Sequence, residues 1–571
     1  MNKPTVIDFF CGAGGFSEGF RQQGFEIIAG YDNWKPAVET YSYNFGKDKG
    51  LQKNILDFEH DIELIESLPD TTVILGSPPC VSFSSSNNSG KADKSLGIRL
   101  TKTFLKIVTI KKHKRGSNLQ AWFMENVVQS IDHIAKDYSF KDLGLDEWAM
   151  KNRIDPKSIA ISLAENHAAL NAANYGAPQQ RIRAVAGEVF TKGGFEIPRS
   201  AYVSKDSGLK LKEYITLGQI RKRLPAPNGK RKNGIITDPL YEHISIDMAA
   251  LTDQFYDTGL YECEWSHSKI QKINHPYMGR MSFPENEHKP SRTITATRIG
   301  TSREAIIYRS EHRRTGDGEY RTPTVRESAC LMSFPITYQF IGGESTKCRL
   351  VGNAVCPSVS RALARTLRAA LGLPKINRPV VNAKIGLENV PNLNSFKPKI
   401  FDNPPVKKKG ARFRGHPFKD GNITVTFSNY DILKKEAKKG ISSKWITSVQ
   451  YGNGNGFPCR KYQDGYYEEL EDLIRTFEKG DHFLKVINNG FTEKIADKKL
   501  LQELHEAQKG KDGFYTPTEL IDTISSLIDM IDFKDPDFKQ DNNKIFIKPV
   551  VPKKQVLALY AINKICTLVN S

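Results

Sequence analysis

Residues 5–24 read TVIDFFCGAGGFSEGFRQQG, and this stretch decides the fold. The apolar run TVIDFF is typical of a short buried strand, and FSEGFRQQG is typical of a helix that ends at Gly24. Between them, the glycines of CGAGG let the backbone approach a ligand closely, and the N–H groups at the helix start attract polar or anionic groups. Such turns also serve only to pack a helix on a strand, so the stretch predicts a strand–turn–helix unit but not yet a ligand.

Further segments of strand length follow at intervals, with helical stretches between them: EIIAGYD, TTVILG, AWFMENV and IRAVAGEVF. Short apolar strands alternating with helices predict an α/β fold, a mostly parallel Rossmann-like sheet with helices on both faces. A last regular helix is predicted over 358–371, where apolar residues recur at every fourth position before Gly372 and Pro374 end it.

The rest of the chain divides by composition. From about 191 to 320 no period is sustained, and abundant Lys, Arg, Gly and Pro favour a loop-rich domain that carries binding residues. Residues 374–419 have the scattered prolines and basic cluster of a linker. Residues 420–571 contain an alternating strand, ITVTF, and two amphipathic helices, which predict an extra C-terminal α+β domain.

The charge balance bears on the partner more than on the fold. The chain has 571 residues, with 83 Lys+Arg against 64 Asp+Glu and a formal net charge of +19. This excess favours a polyanionic partner, although a basic protein without such a partner fits the charge equally well.

The cysteines and the apolar segments bear on location. The eight cysteines form no CxxC pair and no metal-ligand spacing, so a zinc site or a disulfide framework is not expected. No signal peptide and no membrane-spanning run is recognisable, and we expect a cytoplasmic protein with no membrane partner.

Two features at strand ends suggest chemistry. The second strand ends in Tyr31 and Asp32, and an acid at this spacing after Gly14 suits the ribose hydroxyls of a nucleoside cofactor. Cys80 follows the strand TTVILG within GSPPCVSFS, so it lies at the same sheet edge. A lone cysteine is usually a buried structural residue. The double proline before Cys80 and the small polar residues after it instead favour a reactive thiol on a rigid turn under a movable loop.

GSPPCVSFS resembles the PPC motif of the DNA (cytosine-5) methyltransferases. Five further motifs of that family occur in the family's order, and together they span residues 5–372: FFCGAGG, MENV (Met124 to Val127), YGAPQQRIR (Tyr175 to Arg183), RTPTVRESACLMSFP (Arg321 to Pro335) and VGNAV (Val351 to Val355). Each short motif alone would be noise. Their order identifies the chain as a member of this family.

The resemblance implies a catalytic set. The Cys80 thiolate adds to C6 of cytosine and makes C5 nucleophilic toward the methyl group of S-adenosylmethionine. Glu125 faces N3, where it relieves the charge that addition creates. Of Arg181 and Arg183, one binds the cytosine O2 and the other holds the closed loop or a phosphate, and which does which stays open.

The resemblance also implies binding residues. The cofactor S-adenosyl-L-methionine would contact Phe10, Gly12, Ala13, Gly14, Asp32, Asn33, Asn54, Ile55, Pro79 and Asn353, although the family often has Asp where this chain has Asn54. The DNA would contact Ser82, Ser85, Lys91, Arg298, Arg309, Arg313 and Arg314. Any one of these arginines could read guanine or only grip phosphate.

The implied function is methylation of C5 of a cytosine rotated out of a specific duplex DNA sequence, as the modification enzyme of a restriction–modification system. The domains expected are a catalytic core at 1–189, a target-recognition domain at 190–320, a return of the chain to the core at 321–373, a linker at 374–419 and an accessory domain at 420–571. The expected partners are double-stranded DNA and a cognate restriction endonuclease, with the enzyme acting as a monomer.

Two other functions stay open from the sequence: a transfer-RNA cytosine-5 methyltransferase and a catalytically inactive DNA-binding regulator. A fused nuclease is a third option for the C-terminal region alone, because acidic residues and lysines abound at 464–499 without a metal-binding pattern.

Overall fold

The structure is a computed structural model that describes residues 3–79, 95–227, 234–254, 269, 272–273, 281–296, 303–311, 320–382, 415–420, 423–429, 444–452, 458–462, 467–489, 492–507, 510–511, 513–540 and 545–571. The chain forms two compact units, Met1–Pro405 and Val406–Ser571. Within the ranges given, no helix has the length and apolar character needed to cross a membrane.

The first unit contains both the regular sheet and the irregular region predicted from the sequence. Its strands are β1 (Thr5–Phe9), β2 (Glu26–Asp32), β3 (Gly50–Gln52), β4 (Val73–Gly76), β5 (Ala121–Asn126), β6 (Asp137–Ser139), β7 (Ile159–Ser162), β8 (His167–Asn171), β9 (Ile182–Val189), β10 (Tyr202–Val203), β11 (Lys212–Glu213), β12 (Ile235–Thr237), β13 (Ser245–Asp247), β14 (Tyr308–Arg309) and β15 (Tyr320–Arg321). Its helices are α1 (Gly15–Gln22), α2 (Lys35–Phe45), α3 (Ile62–Glu66), α4 (Ser95–His113), α5 (Asp146–Lys151), α6 (Leu217–Arg223), α7 (Val325–Leu331), α8 (Glu344–Asn353) and α9 (Pro357–Ala370).

A seven-stranded sheet in the order β3-β2-β1-β4-β5-β9-β8 forms the centre of this unit. The neighbouring strands from β3 to β5 pair in parallel, whereas β9 pairs antiparallel with both β5 and β8. The predicted α/β class and mostly parallel sheet are therefore confirmed. Because parallel strands leave their carboxyl ends at one edge, the segments after β1, β2, β4 and β5 meet there.

Successive residues of the central strands pack alternately into two hydrophobic cores, one on each face of the sheet. Val6 of β1 packs in a cluster with α1 and α9, while its neighbour Ile7 packs in a cluster with α4. Phe123 and Trp122 of β5 divide in the same way. Successive strand residues point to opposite faces, so an apolar strand needs a helical layer on each side.

Helices α1 and α9 pack unusually closely on the first face. A Cβ atom at Gly19 of α1 would lie 2.1 Å from Ser360 Oγ and 2.3 Å from the backbone nitrogen of Arg361 in α9. Helix α9 spans almost the range predicted for it and begins with Pro357, whose fixed φ suits the first helical turn. Helix α9 therefore lies directly beside the glycine-rich stretch, although the two are far apart in the sequence.

Between β9 and β15 the described chain is irregular, as the loss of periodicity predicts. Its strands are two or three residues long and pair only locally, β10 with β11, β12 with β13 and β14 with β15. One segment of this region pairs with the chain just before β9: Ser291 and Gln179 form an isolated parallel bridge, and Gln180 N donates to Ser291 O at 2.8 Å.

The second unit has its own hydrophobic core. Its strands are β16 (Gly415–Asp420), β17 (Ile423–Ser428), β18 (Ile446–Tyr451), β19 (Cys459–Tyr462), β20 (Asp537–Lys539) and β21 (Val550–Pro552), and its helices are α10 (Tyr467–Arg475), α11 (Gly480–Asn489), α12 (Lys498–Ala507), α13 (Pro517–Asp529) and α14 (Lys553–Asn570). Strands β16 to β19 form an antiparallel sheet. Most of α14 is buried, including Asn563, whereas Leu568 is only half-buried. The extra α+β region predicted at the C-terminus is confirmed.

Candidate active site

The order of strands fixes the order of groups along the carboxyl edge of the sheet. Asn54 follows β3, Asp32 ends β2, the glycine turn follows β1, Pro79 lies after β4 and Glu125 lies near the end of β5. Residues far apart in the sequence therefore form one continuous row. Such a row at the carboxyl edge of a parallel sheet is the usual place for a nucleoside ligand.

The glycine turn has the backbone that its sequence predicts. Gly12 and Gly14 have φ values of +52° and +82°, which residues with a Cβ rarely adopt. A Cβ at Gly14 would also lie 2.5 Å from the Phe45 ring, so this position has no room for a side chain. Among the described residues, a Cβ at Gly12 would meet only the Phe10 carbonyl, at 3.9 Å, so these residues leave open space above the turn.

Asp32 forms a hydrogen bond with this turn. Its Oδ2 accepts the Gly12 N–H at 2.9 Å, and its Oδ1 accepts the Trp34 N–H at 2.9 Å. Burial raises the pKa of Asp32, while backbone N–H groups, among them those of Trp34 and Gly12, and the positive charge of Arg349 oppose that rise. The carboxylate is thereby fixed at the end of β2, between β3 and the glycine turn.

The other predicted cofactor residues lie along the same row. Phe10 is half-buried, Ile55 and Ala13 are buried, and Asn33 and Pro79 are exposed. Asn54 uses its side-chain oxygen to accept the Leu56 N–H at 3.1 Å. Asn353 is exposed at the end of α8, and Val355 beyond it lies against Gly15, where a Cβ would be 2.1 Å from the Val355 carbonyl.

These residues fit S-adenosylmethionine. The open space above Gly12 admits a ligand against the backbone, and the fixed Asp32 carboxylate at the edge can accept from ribose hydroxyls. The half-buried Phe10 ring and Ile55 offer an apolar surface on the two sides of Asp32. Within the described ranges, no cluster of His, Cys, Asp and Glu could hold a metal ion.

The turn after β4 leads to the predicted nucleophile. Ser77 Oγ donates to the Phe10 carbonyl at 3.0 Å, and the Asn126 side chain donates to the Pro78 carbonyl at 3.3 Å. Asn126 Oδ1 also accepts the Val127 N–H at 2.8 Å. The turn is thus held between the glycine turn and the Glu-Asn-Val segment. Cys80, Ser82, Ser85 and Lys91 lie outside the described residues.

Glu125 and Arg183 form a pair at this edge. Arg183 Nε lies 3.3 Å from Glu125 Oε1, and β5 and β9 bring the two together from antiparallel neighbouring strands. Glu125 is buried, which raises its pKa, and the charges of Arg183 and Arg181 lower it part of the way back. A carboxyl with a raised pKa keeps its proton to higher pH than an exposed carboxyl does, and its protonated form can donate a hydrogen bond.

Arg181 has different surroundings. It precedes β9, and its guanidinium donates to the backbone carbonyls of Ile294 at 3.0 Å, Gly352 at 3.0 Å and Ala354 at 3.2 Å. Gln179 extends this link, since its side-chain oxygen accepts the Ile294 N–H at 2.9 Å. Arg181 therefore joins the start of β9 to the irregular region and to the turn between α8 and α9.

Of the predicted DNA contacts, Arg309 alone lies in the described chain; Arg298, Arg313 and Arg314 lie outside it. Arg309 is exposed in β14, and its carbonyl accepts from Arg221 at 2.9 Å. Arg221 also forms an ion pair with Glu311 at 2.7 Å, and Arg321 bonds the same carboxylate. The backbone at Arg309 is thus held by a hydrogen bond from Arg221, and the Arg309 side chain is exposed to solvent.

Two groups near the turn were not predicted from the sequence. Asp8 is fully buried under the turn; burial raises its pKa to about 7, its Oδ2 accepts from Ser17 at 2.7 Å, and its Oδ1 has no hydrogen-bond partner among the described residues. Arg349 of α8 lies over the Trp34 ring at 4.5 Å. The acid within the first strand was a visible signal for Asp8, but nothing local in the sequence pairs Arg349 with Trp34.

Comparison with known proteins identifies the family of this chain. The sequence profile of the family described as C-5 cytosine-specific DNA methylase matches residues 4–369. Type II methyltransferase M.HgiDI of Herpetosiphon aurantiacus is 27% identical over 65% of this chain and 97% of its own length. Type II methyltransferase M1.HphI of Haemophilus parahaemolyticus is 27% identical over 64% and 86%, and Type II methyltransferase M.NgoFVII of Neisseria gonorrhoeae is 28% identical over 64% and 87%. With a match across well over half of its length, the chain belongs to the C-5 cytosine-specific DNA methylase family.

Proposed function

We propose that this DNA cytosine-5 methyltransferase uses S-adenosylmethionine to methylate a specific duplex DNA sequence and is the modification enzyme of a type II restriction–modification system. One observation carries the mechanism: Glu125 and Arg183 meet at 3.3 Å at the sheet edge, beside the proline turn that leads to Cys80. The names of the type II relatives support the restriction–modification setting.

Cys80 is the proposed nucleophile. It follows Pro79 directly in the sequence, and the turn before it is held by hydrogen bonds from the Ser77 and Asn126 side chains to backbone carbonyls. Addition of the thiolate to C6 makes C5 an enamine carbon, which can attack an electrophilic methyl group. When bound, S-adenosylmethionine supplies that methyl group. Loss of the C5 proton and elimination of the thiol then release the product, with water as the base.

Glu125 is the proposed partner of cytosine N3. Addition at C6 raises the basicity of N3, and a carboxyl that holds its proton can donate to it as that basicity grows. The raised pKa of the buried Glu125 supports this role. The same hydrogen bond selects cytosine, because a uracil or thymine would present an N3–H donor to this group.

Arg183 is the proposed ligand of the cytosine O2 carbonyl. Its guanidinium lies beside Glu125 and is partly exposed, with 21% of its side-chain surface accessible, so it can still donate to a base. Arg181 is buried with at least three backbone acceptors, and we assign it to the framework that holds the turn between α8 and α9. We propose this division of roles for the two arginines, which the sequence leaves open.

The cofactor assignment follows the row of residues along the sheet edge. Asn54 and Ile55 would flank the adenine, Asp32 would accept from the ribose, and Gly12 would line the methionyl part. Pro79 would then lie next to the methyl group and to Cys80. The order of the strands supports this direction, since β4 and β5 lie on the glycine-turn side of β2.

The DNA-binding assignments rest on exposed cations and on chain position. Arg309, with its side chain in solvent, is a candidate for a phosphate or guanine contact. We also propose Arg298, Arg313, Arg314, Ser82, Ser85 and Lys91 as DNA contacts, residues 190–320 as the target-recognition domain, and residues 420–571 as an accessory part. A chain truncated after residue 405, where the first compact unit ends, should keep methyl transfer.

The decisive experiment measures labelled methyl transfer to duplex DNA and to transfer RNA in parallel, followed by bisulfite sequencing of DNA from cells that express the protein. We expect transfer to DNA alone, at one recurring sequence, with Cys80→Ser inactive. Transfer to RNA alone would move the substrate to the other branch of the family. Absence of transfer to either, with intact DNA binding, would favour the inactive regulator.

A further inference from the structure

Arg349 is a cation near the carboxyl edge of the sheet, where the cofactor would bind. It lies in α8, it is exposed, and its guanidinium carbon is 4.5 Å from the centre of the Trp34 ring. Within the described residues this guanidinium makes no hydrogen bond and no ion pair. Stacking on an indole holds a guanidinium in place while leaving its N–H groups free to donate in the ring plane.

Trp34 ties this cation to the ribose acid. The Trp34 N–H donates to Asp32 Oδ1 at 2.9 Å, and the charge of Arg349 is among the influences that lower the pKa of that carboxyl against the larger effect of burial. The guanidinium is therefore near the end of β2 and is not on a remote surface of α8.

The position of α8 shows which end of the cofactor this cation would meet. The segment just after α8 lies against the glycine turn, because a Cβ at Gly15 would be 2.1 Å from the Val355 carbonyl. Tyr338, shortly before α8, bonds the Ala13 carbonyl of the same turn. Asn54 and Ile55 lie on the other side of Asp32, beyond β3. Arg349 would therefore lie near the methionyl end of the cofactor and not near the adenine.

The methionyl group carries a carboxylate, and one donor of the glycine turn is already in use. The Gly12 N–H, which could donate to an anion, already donates to Asp32 Oδ2. The ribose acid is itself negative and would repel a second carboxylate nearby. A cation at this place both neutralises that repulsion and offers a planar pair of donors.

We propose that Arg349, held on the Trp34 ring, binds the α-carboxylate of the methionyl part of S-adenosylmethionine. This inference rests on the proposed function and adds a residue that determines cofactor affinity. Arg349 binds an end of the cofactor remote from the reacting methyl group, so it contributes to affinity more than to the chemical step.

The test compares two ligands that differ only in the carboxylate, S-adenosylmethionine and decarboxylated S-adenosylmethionine, by calorimetric titration of the full chain. Arg349→Met should weaken binding of the first by roughly tenfold, the effect expected for one charge-assisted contact at an exposed site, and leave binding of the second unchanged. Arg349→Lys should fall between wild type and Arg349→Met for the first ligand. Arg365→Met removes an exposed arginine of α9 and is the matched control, with both affinities unchanged.

Equal weakening of both ligands would overturn the proposal, because Arg349 would then act only through Trp34 and Asp32. Unchanged affinity for S-adenosylmethionine in Arg349→Met would overturn it as well, with the proposed function left intact. A wild-type chain that binds neither ligand would instead refute the proposed function, and this inference with it. Thermal unfolding of each variant without ligand checks that the fold is unchanged.

Discussion

Replacing Arg181 by methionine should mainly lower the stability of the fold, whereas replacing Arg183 should mainly lower the rate of methyl transfer, although the two lie two residues apart in one motif. Arg181 donates three hydrogen bonds to backbone carbonyls in the interior. At about 1 kcal/mol of net stability for each bond, Arg181→Met should lower the free energy of unfolding of the first unit by about 3 kcal/mol. The three carbonyls lie in two segments that are distant in the sequence, one at Ile294 and one at Gly352 and Ala354, so no single local rearrangement can satisfy them all.

Arg183→Met should behave in the opposite way. Among the described residues, Arg183 forms an ion pair with Glu125. Because burial already raises the pKa of Glu125, this carboxyl can take up a proton when the arginine is removed. The expected loss of stability is below about 1 kcal/mol. Methyl transfer should nevertheless fall by about 100-fold or more, since a donor to the base carbonyl is lost.

Hydrogen-exchange mass spectrometry at increasing urea measures both effects on stability, because peptides from the two units report separately. In Arg181→Met, exchange should rise first in peptides covering 291–296 and 352–355, while peptides of the second unit serve as an internal control. Arg181→Lys keeps the charge but not the forked donors and should be intermediate. Equal unfolding midpoints for wild type and Arg181→Met would refute the framework role.

Three further perturbations test the core, the buried acid and the catalytic acid. Gly19→Ala should cost about 1–3 kcal/mol in urea unfolding, because its Cβ would overlap Ser360. Gly343→Ala has no described atom within 4 Å of its Cβ and should cost less, only the difference between glycine and alanine at the N-cap of α8; equal costs would contradict the close packing of α1 on α9. The Asp8 carboxyl has a pKa of about 7 in the folded chain and about 4 when unfolded, so the folded state holds this proton more tightly and wild-type stability should fall as pH rises between those values. Asp8→Asn should flatten that dependence in thermal unfolding from pH 4 to 8, and parallel pH profiles would show that the acid does not titrate there. Glu125→Gln should lower the rate of methyl transfer by roughly 100-fold or more, and a near-normal rate would mean that N3 is not its target.

The elements that could be predicted from the sequence are those whose signal is local. The strand β2 matches the segment EIIAGYD residue for residue, and β1 and α1 lie within one or two residues of the ends expected from TVIDFF and FSEGFRQQG. A glycine turn has a backbone requirement that only glycine meets easily, so Gly12 and Gly14 could be placed before any coordinates.

What could not be predicted depends on contacts between distant parts of the chain. Arg181 and its acceptor Ile294 are separated by 113 residues, and only the folded chain shows that this arginine is buried and Arg183 is not. The contact of Arg349 with Trp34 joins α8 to the turn after β2 in the same way. Periodicity reports which face of an element is apolar, but it does not report which element covers that face.

The most direct test of the account is covalent trapping on duplex DNA that contains 5-fluorocytosine at the target site, in the presence of S-adenosylmethionine, followed by peptide mapping. Fluorine at C5 blocks the final elimination, so an adduct on the peptide that contains Cys80 is the predicted result. No adduct should form with Cys80→Ser. A stable adduct on any other residue, or methylated product with no trapped chain, would contradict the claim that a thiol at this sheet edge attacks the base.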